Sequence, residues 1–304
     1  MKRKYSIISA IVALTAFLYN PTPGFAIILG TAENFAVLGS STVSNTGPTT
    51  INGDLGLSPG PSVVGFAIAP ANTVVEGLGS TGLINGPGLV SGTIHIADGV
   101  ALQARNDATA AWTGLQNMPS TGNLTGVDLG TFLTPLTSGV YHFDSSAQLT
   151  GALTLDAQGL DNAFWVFQIE SALTTASSSS VALINPGANN GVFWQIGSSA
   201  TLGTDTSFLG NILANESVTL TTEADILCGR AFALNGAVTM DTNDISAICD
   251  ESISRGLGGG LDFDETGKVV PDSGSSSVVP EPATLALLGL GLAGLRFRKN
   301  KIAA

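Results

Sequence analysis

The sequence predicts a mainly β protein: a solenoid of stacked coils with one long α-helix packed alongside. Three observations lead there. First, one phrase returns six times, an apolar residue followed seven positions later by a threonine and then by a mostly apolar residue. It occurs at Phe35/Thr42, Ala147/Thr154, Phe167/Thr174, Trp194/Thr201, Ile212/Thr219 and Phe232/Thr239. From Thr154 onward the threonines are 20, 27, 18 and 20 residues apart. A repeat of that period marks a solenoid, because one coil cannot bury its apolar side until a neighbour stacks on it. Second, the 304 residues are 44% hydrophobic with 38 glycines and only 11% charged. That is ample for a core, about half the usual charge, and suited to short strands and tight turns. Third, one stretch near residue 100 abandons this pattern for a helical one.

Taken in order, the chain opens on Lys2, Arg3 and Lys4, an apolar run over residues 7–18, and small residues in Gly24-Phe25-Ala26. That is the layout of a secretory signal peptide over residues 1–26, with the mature chain starting near Ile27. The apolar run is short for a membrane span. Residues 31–97 are rich in Gly, Pro, Asn and Thr, with turn signals such as Asn52-Gly53 and Ser58-Pro59-Gly60-Pro61.

Asp98 then offers an N-cap for a helix over about 99–117. Ala101, Leu102, Ala104, Ala108, Ala111, Trp112 and Leu115 recur at spacings of three and four, and Pro119 ends it. Some 18 residues at about 1.5 Å each give roughly 27 Å. That matches five or six coils stacked about 4.8 Å apart, so the helix is expected to lie along the stack. A loop follows to about residue 139.

Residues 140–249 form the main stack. Phe167, Trp194, Ile212 and Phe232 are expected in one inward column, Ile169, Ile196, Ala214 and Leu234 in the next, with Gln168 and its column partners facing out. An inward residue after each threonine turns the threonine outward. The expected face therefore carries Thr42, Thr154, Thr174, Thr201, Thr219 and Thr239. A second column reads Asn45, Ala157, Ser177, Thr204, Thr222 and Thr242. Between them come Thr221 and two aspartates, Asp156 and Asp241, which are defects in an otherwise neutral surface. Cys228 and Cys249, 21 residues apart, are placed to bridge adjacent coils in an oxidising compartment, with two buried thiols as the alternative. Residues 27–255 make one domain, and the Gly/Ser/Asp-rich residues 256–278 read as a flexible acidic linker.

The end of the chain, residues 279–304, has three parts: Pro280-Glu281-Pro282, an apolar run over 283–295, and Arg296, Arg298 and Lys299. This tail resembles the PEP-CTERM sorting signal of bacteria. The resemblance implies recognition by an exosortase-type membrane protease, only a transient stay in the membrane, and release to the cell surface or beyond. A plain C-terminal anchor is the alternative. Without both ends the chain keeps four basic residues against 22 acidic ones, a net charge of −18. Such a surface repels nucleic acid and anionic membranes.

Several strings are distinctive together: Thr31-Ala-Glu-Asn-Phe-Ala-Val-Leu-Gly39, Ile51-Asn-Gly-Asp-Leu-Gly56, Phe164-Trp-Val-Phe-Gln-Ile169 and Val192-Phe-Trp-Gln-Ile-Gly-Ser-Ser-Ala-Thr-Leu-Gly203. Over residues 29–249 the chain resembles the ice-binding protein-like family of microbial antifreeze proteins. The resemblance implies a right-handed, discontinuous, triangular β-solenoid that adsorbs to an ice crystal surface through one flat face, without cofactor or metal.

The physical case for that partner is independent. Ice presents a repeating, uncharged lattice of water. A column of threonines presents methyl and hydroxyl groups at strand spacing, and their stiff χ1 limits the entropy lost on ordering. Threonine ladders also stabilise sheets with no ligand at all. The competing reading is an extracellular-matrix or adhesion protein binding exopolysaccharide, which Trp165 exposed beside Tyr141 would favour. An enzyme is not expected: Asp156, Asp161 and Glu170 are scattered, His95 and His142 stand far apart in sequence, and no nucleophile or metal-ligand pattern appears.

Overall fold

The computed structural model describes residues 26–67, 75–77, 86–249 and 257–272. The expected signal peptide and sorting tail lie outside these residues. Every strand pair in the body is parallel, and the strands fall on three faces. The first face runs, coil by coil, through Gly122–Asn123, Gly139–Phe143, Phe164–Ile169, Gly191–Ile196, Ser207–Ala214 and Asp225–Ala233, and then jumps back to Phe35–Gly39, Asp54–Leu57 and Ile94–Ile96. Spatial order departs from chain order at the outer end, where Ile94–Ile96 lies between Asp54–Leu57 and Val75–Gly77, and breaks outright where Val37 pairs with Ala231 and Leu38 with Phe232. This is the discontinuity of the solenoid. The N-terminal coils wind outward to Ile96, the helix α1 (Gly99–Gln116) returns along the stack, and the remaining coils wind back until they meet the first.

Helix α1 starts where the sequence places it. Asp98 accepts a 2.7 Å hydrogen bond from the Ala101 amide, satisfying one of the orphan donors of the first turn. Ala101, Ala104, Ala108, Ala111 and Leu115 are all fully buried, a stripe of small residues that lets the helix lie close to the sheet. Ala104, Ala108, Ala111 and Leu115 pack on Val140, Val166, Phe193, Leu213 and Phe232. Polar groups fix its course across successive coils: Arg105 donates to the Leu234 carbonyl (2.8 Å), Trp112 to Ile196 (3.0 Å) and Gln168 to Leu115 (2.7 Å).

Gln168 corrects one expectation. It points out of its coil, but only 3% of it is exposed. Its Nε2 also donates to the Met118 carbonyl at 2.8 Å, satisfying helix-end carbonyls that have no intrahelical partner. Beneath the helix the outward side of this face is an interior, while His142, in register with Gln168, stays partly exposed.

The coil interior holds the second, larger core. Tyr141, Phe167, Trp194 and Ile212 stand in register, and the Phe167 and Trp194 rings stack at 4.0 Å between centroids. Phe232 does not extend this column. Ile212 pairs with Ala231, and Phe232 pairs with Leu213 beneath the helix. Leu234 also lies on the helix side. The corner of this coil is one residue longer, eight residues from Ala231 to Thr239 against seven from Ile212 to Thr219. Upstream in the same strand pair lies a β-bulge: the register shifts between Phe208 and Leu209, which leaves Leu227 as an extra, exposed residue. Just beyond it Gly210 and Gly229 pair with φ of 107° and 148°. These long strands bend there, joining the first face to the third in one sheet. A Cβ at Gly229 would strike the Gly210 carbonyl.

Residues 257–272 also correct an expectation. They do not form a flexible linker. Leu261–Phe263 and Val269–Pro271 make an antiparallel hairpin that pairs with Ala26–Ile27. Leu261 and Val269 are buried against the α1 core. The alternation of apolar residues around Thr266-Gly267 is what the Gly/Ser-rich surroundings hide. Cys228 and Cys249 are disulfide-bonded, with their Cα atoms 5.2 Å apart.

Candidate functional site

The second face is a seven-stranded parallel sheet. In stack order it runs through Ala147–Leu149, Leu173–Thr175, Ala200–Leu202, Val218–Leu220, Val238–Met240, Thr42–Asn45 and Ser62–Val64. Its inward residues are buried: Leu173, Ala200, Val218 and Val238 on one side of the central position, Thr175, Leu202, Leu220 and Met240 on the other. The residue between each pair must face out, because strand side chains alternate. Thr174 pairs with Thr201, Thr201 with Thr219, and Thr219 with Thr239. Four threonines therefore stand side by side on four successive coils.

Two of the expected members are elsewhere. Ser44, not Thr42, pairs with Thr239. Thr42 lies one outward position to the side, paired with Ser62. Thr154 is on the third face, paired with Ala182, and Gln148 pairs with Thr174 in its stead. The reason lies in where each repeat begins. The inward column Tyr141, Phe167, Trp194 and Ile212 keeps the seven-residue step to Gln148, Thr174, Thr201 and Thr219. The repeat in the first coil thus starts at Tyr141 and not at Ala147. It is concealed in the sequence because it ends on glutamine. The N-terminal coil keeps the same seven-residue step, from Val37, which pairs with Ala231, to Ser44, so the phrase Phe35/Thr42 starts two residues early.

Extending the same register two residues toward the N-terminus gives a flanking column of Ser146, Ala172, Ser199, Ser217, Ala237 and Thr42. All are small, so this strip is low and flat. Its hydroxyls also brace the sheet: the Ser217 amide donates to Ser199 Oγ and the Ala237 amide to Ser217 Oγ, both at 3.2 Å.

On the other side the surface ends at a corner. Thr204 and Thr221 hydroxyls lie 3.4 Å apart, and Thr221 donates to the Leu202 carbonyl at 2.8 Å. Ser178, Asp205 and Glu223, each four residues past a ladder threonine, take the left-handed backbone region there. In the last coil the left-handed residue is Thr242, only three past Thr239. Thr242 thus leaves the expected second column, and Asp241 stands beside Thr222, whose Oγ1 donates to it at 2.6 Å. Hydrogen bonds from Thr222, then Thr242 and Thr46, hold the Asp241 carboxyl below its usual range against slight desolvation. Asn45 and Ala157, also expected in that column, are buried. Asp156 is not on this face at all. It pairs with Ile184 on the third face, where its carboxylate accepts from the Gln158 amide and Asn185.

The groups that would suggest other chemistry are engaged locally. His95 bonds Asp98 at 2.7 Å and His142 bonds Asp144 at 3.0 Å. Asp161 accepts from the Ala188 amide. Glu76, His95 and Asp98 make the one cluster of three metal-capable side chains among the described residues, and its Asp98 is the α1 cap. Trp165 is fully buried, with its Nε1 donating to the Leu136 carbonyl at 3.0 Å, and Tyr141 stacks on Phe167.

Fold and face together define a discontinuous β-solenoid with a helical strut and one flat threonine-bearing sheet. The chain belongs to the Ice-binding-like family, whose model matches residues 37–246. It is 47% identical over 302 residues to an ice-binding protein of Nostoc sp. (strain HG1), covering 99% of this chain and 97% of that one. Two solved structures are similar. An ice-binding protein from an Antarctic biological consortium is 41% identical with a TM-score of 0.63, over 74% of this chain and 92% of its own. One from the Antarctic ascomycete Antarctomyces psychrotrophicus is 37% identical with a TM-score of 0.61, over 74% and 98%. Residues 278–301 match the PEP-CTERM protein-sorting motif, which marks the protein for export to the cell surface or the extracellular space.

Proposed function

We propose that this protein adsorbs to ice through the outer surface of the seven-stranded sheet, and so slows ice growth and recrystallisation. The observation that carries the reading is the register of Thr174, Thr201, Thr219 and Thr239 on four successive coils. Methyl groups repeated at the strand spacing of about 4.8 Å hold water in a regular array, and the hydroxyls pin it. The low Ser/Ala column beside the ladder widens the flat area without adding charge. The family and the ice-binding relatives support the same partner.

Thr204, Thr221 and Thr222 form the rim of this face, where Asp241 sets a charged boundary. Thr42 joins through the flanking column, and Ser44 continues the ladder onto the N-terminal coil. Thr154 and Thr242 are not assigned to the contact. Adsorption of this kind uses no cofactor and no catalytic group. We further infer that Pro280-Glu281-Pro282 is the recognition site of an exosortase-type protease that removes the tail during export.

The test is a pair of outward substitutions. Thr201→Tyr with Thr219→Tyr should cut thermal hysteresis and recrystallisation inhibition several-fold, with the unfolding temperature nearly unchanged, because neither side chain packs in the core. Thr154→Tyr on the third face should leave both activities intact. Full activity in the folded double variant, or an equal loss in Thr154→Tyr, moves the binding face elsewhere.

A further inference from the structure

The junction between leader and folded chain lies inside a strand. Ala26–Ile27 pairs antiparallel with the C-terminal hairpin, Ala26 opposite Phe263 and Ile27 opposite Asp262. Immediately after it Ile28 and Leu29 are fully buried in the core beneath α1. The small residues of Gly24-Phe25-Ala26 point to hydrolysis of the Ala26–Ile27 bond. Water is consumed, the new carboxylate leaves with the leader, and Ile27 gains an α-ammonium group where an amide N–H stood. A residue directly opposite in an antiparallel pair has its Cα about 4.5–5.5 Å away. The short carboxylate arm of Asp262 can span that gap to the Ile27 nitrogen.

The charged groups of the elements around this strand are mostly acidic. From the hairpin come Asp262, Asp264, Glu265 and Lys268, and from the end of its second strand Asp272. From α1 comes Asp107, which accepts from the Thr31 amide at 2.8 Å and from Thr31 Oγ1 at 2.6 Å. One lysine thus stands among five carboxylates.

We propose that the mature protein begins at Ile27 and that its α-ammonium group is a structural element, held by the Asp262 carboxylate. The cut that releases the leader creates the charge that ties the N-terminal strand to the C-terminal hairpin. An ammonium donating to a carboxylate makes a charge-assisted hydrogen bond, stronger than the amide bond it replaces.

The experiment exports the full chain with its own leader and measures the mature mass, then titrates the α-amino group by NMR. The expected start is Ile27. Its amine should titrate above the ordinary value of about 7.7–8.0 by roughly half a unit or more. Asp262→Asn should bring it back. A folded-state pKa above the unfolded one contributes stability at neutral pH, and that contribution disappears as pH rises through the folded value. The wild-type unfolding temperature should therefore drop between about pH 8 and pH 9.5, and the Asp262→Asn protein should lack that drop.

A chain with one extra glycine before Ile27 keeps every hairpin residue and moves the ammonium about 3.3 Å along the strand. It too should titrate normally, which covers the case of an Asp262→Asn variant that folds poorly. A mature start at any other residue overturns the proposal. So does an amine titrating in the ordinary range, or one that both variants leave unmoved.

Discussion

Asp225 shows what a single carboxylate does at the corner of a parallel stack. Its strand pairs it with Ser207, and it accepts a 2.7 Å hydrogen bond from the Asp244 amide of the next coil. Stacking also brings acids together. Partial burial raises its pKa, and the charges of Asp244, Glu223 and Asp205 raise it further, outweighing the Asp244 hydrogen bond. The folded state then binds the proton more tightly than the unfolded one, so ionised Asp225 costs stability at neutral pH, and the cost fades as pH falls through the folded value. Asp225→Asn keeps the acceptor oxygen and removes the charge. Because the site is largely solvated, the gain at pH 7 should be about 0.5 kcal/mol, or roughly 1–2 °C in unfolding temperature for a domain of this size. The same substitution should become neutral as pH falls below the ordinary aspartate value of about 3.9, where the group is protonated in the folded and unfolded states alike. A scan of unfolding temperature against pH for the two proteins checks both halves.

At the scale of elements, what could be read depended on whether a period survives the corners. The helix was legible to within a residue, because Asp98 and the Ala101 to Leu115 stripe act locally and no tertiary register enters. The ladder was legible for Thr174, Thr201 and Thr219, whose coils keep one corner length. It also held at Thr239, but failed at Thr42 and Thr154, where the seven-residue spacing recurs out of phase with the stack, and at Phe232 and Thr242, where a corner gains or loses a residue. A one-residue slip moves a side chain to the opposite face, and nothing in the local sequence reports a bulge such as the one at Leu227. Gln168 was misread for a different reason: strand alternation places it outside its coil, and only the packed helix makes that side an interior. The consequence is measurable. Gln168→Leu keeps the volume but leaves the Met118 carbonyl without the Gln168 donor and the Leu115 carbonyl with the Met118 amide in its place. It should cost about 1–3 kcal/mol while thermal hysteresis, measured near 0 °C where the protein remains folded, stays at the wild-type level. Loss of ice activity in a folded Gln168→Leu protein would tie the helix side to the binding face.

The whole molecule has one seam, where coils from the two halves of the chain meet. Val238 pairs with Val43 and Ile245 with Ile51 across it. Buried polar groups fix its register. Asn45 accepts from Thr49 Oγ1 at 2.6 Å, and Thr49 Oγ1 in turn accepts from the Asn243 amide at 3.0 Å. Arg230, 1% exposed and with its pKa pushed down to about 10 by burial, donates to the Glu33 carbonyl and to Asn211. Asn211 donates to Leu257 at 2.7 Å, bringing the C-terminal segment into the same joint. Apart from Asn45 and Thr49, these groups lie far from their partners in sequence, so the seam forms only when distant segments meet, at the entropic cost of closing long loops. The disulfide lies on the C-terminal side of this seam, bridging residues 21 apart. Closing a loop of that length stabilises by about 3 kcal/mol in the chain-entropy model, or on the order of 6–12 °C for a domain of this size. Cys228→Ser with Cys249→Ser should therefore unfold roughly 10 °C lower and lose amide protection first in the strands at the seam, Thr42–Asn45, Thr50–Asn52 and Asp244–Ser246. The ladder from Thr174 to Thr219 sits deeper in the C-terminal stack, on strands that do not pair with the N-terminal segment. Hydrogen exchange at 4 °C should leave those strands protected, and ice-recrystallisation inhibition at that temperature or below should persist. If exchange instead rises evenly over all coils, the stack unfolds as a single unit and the seam is not its weakest joint.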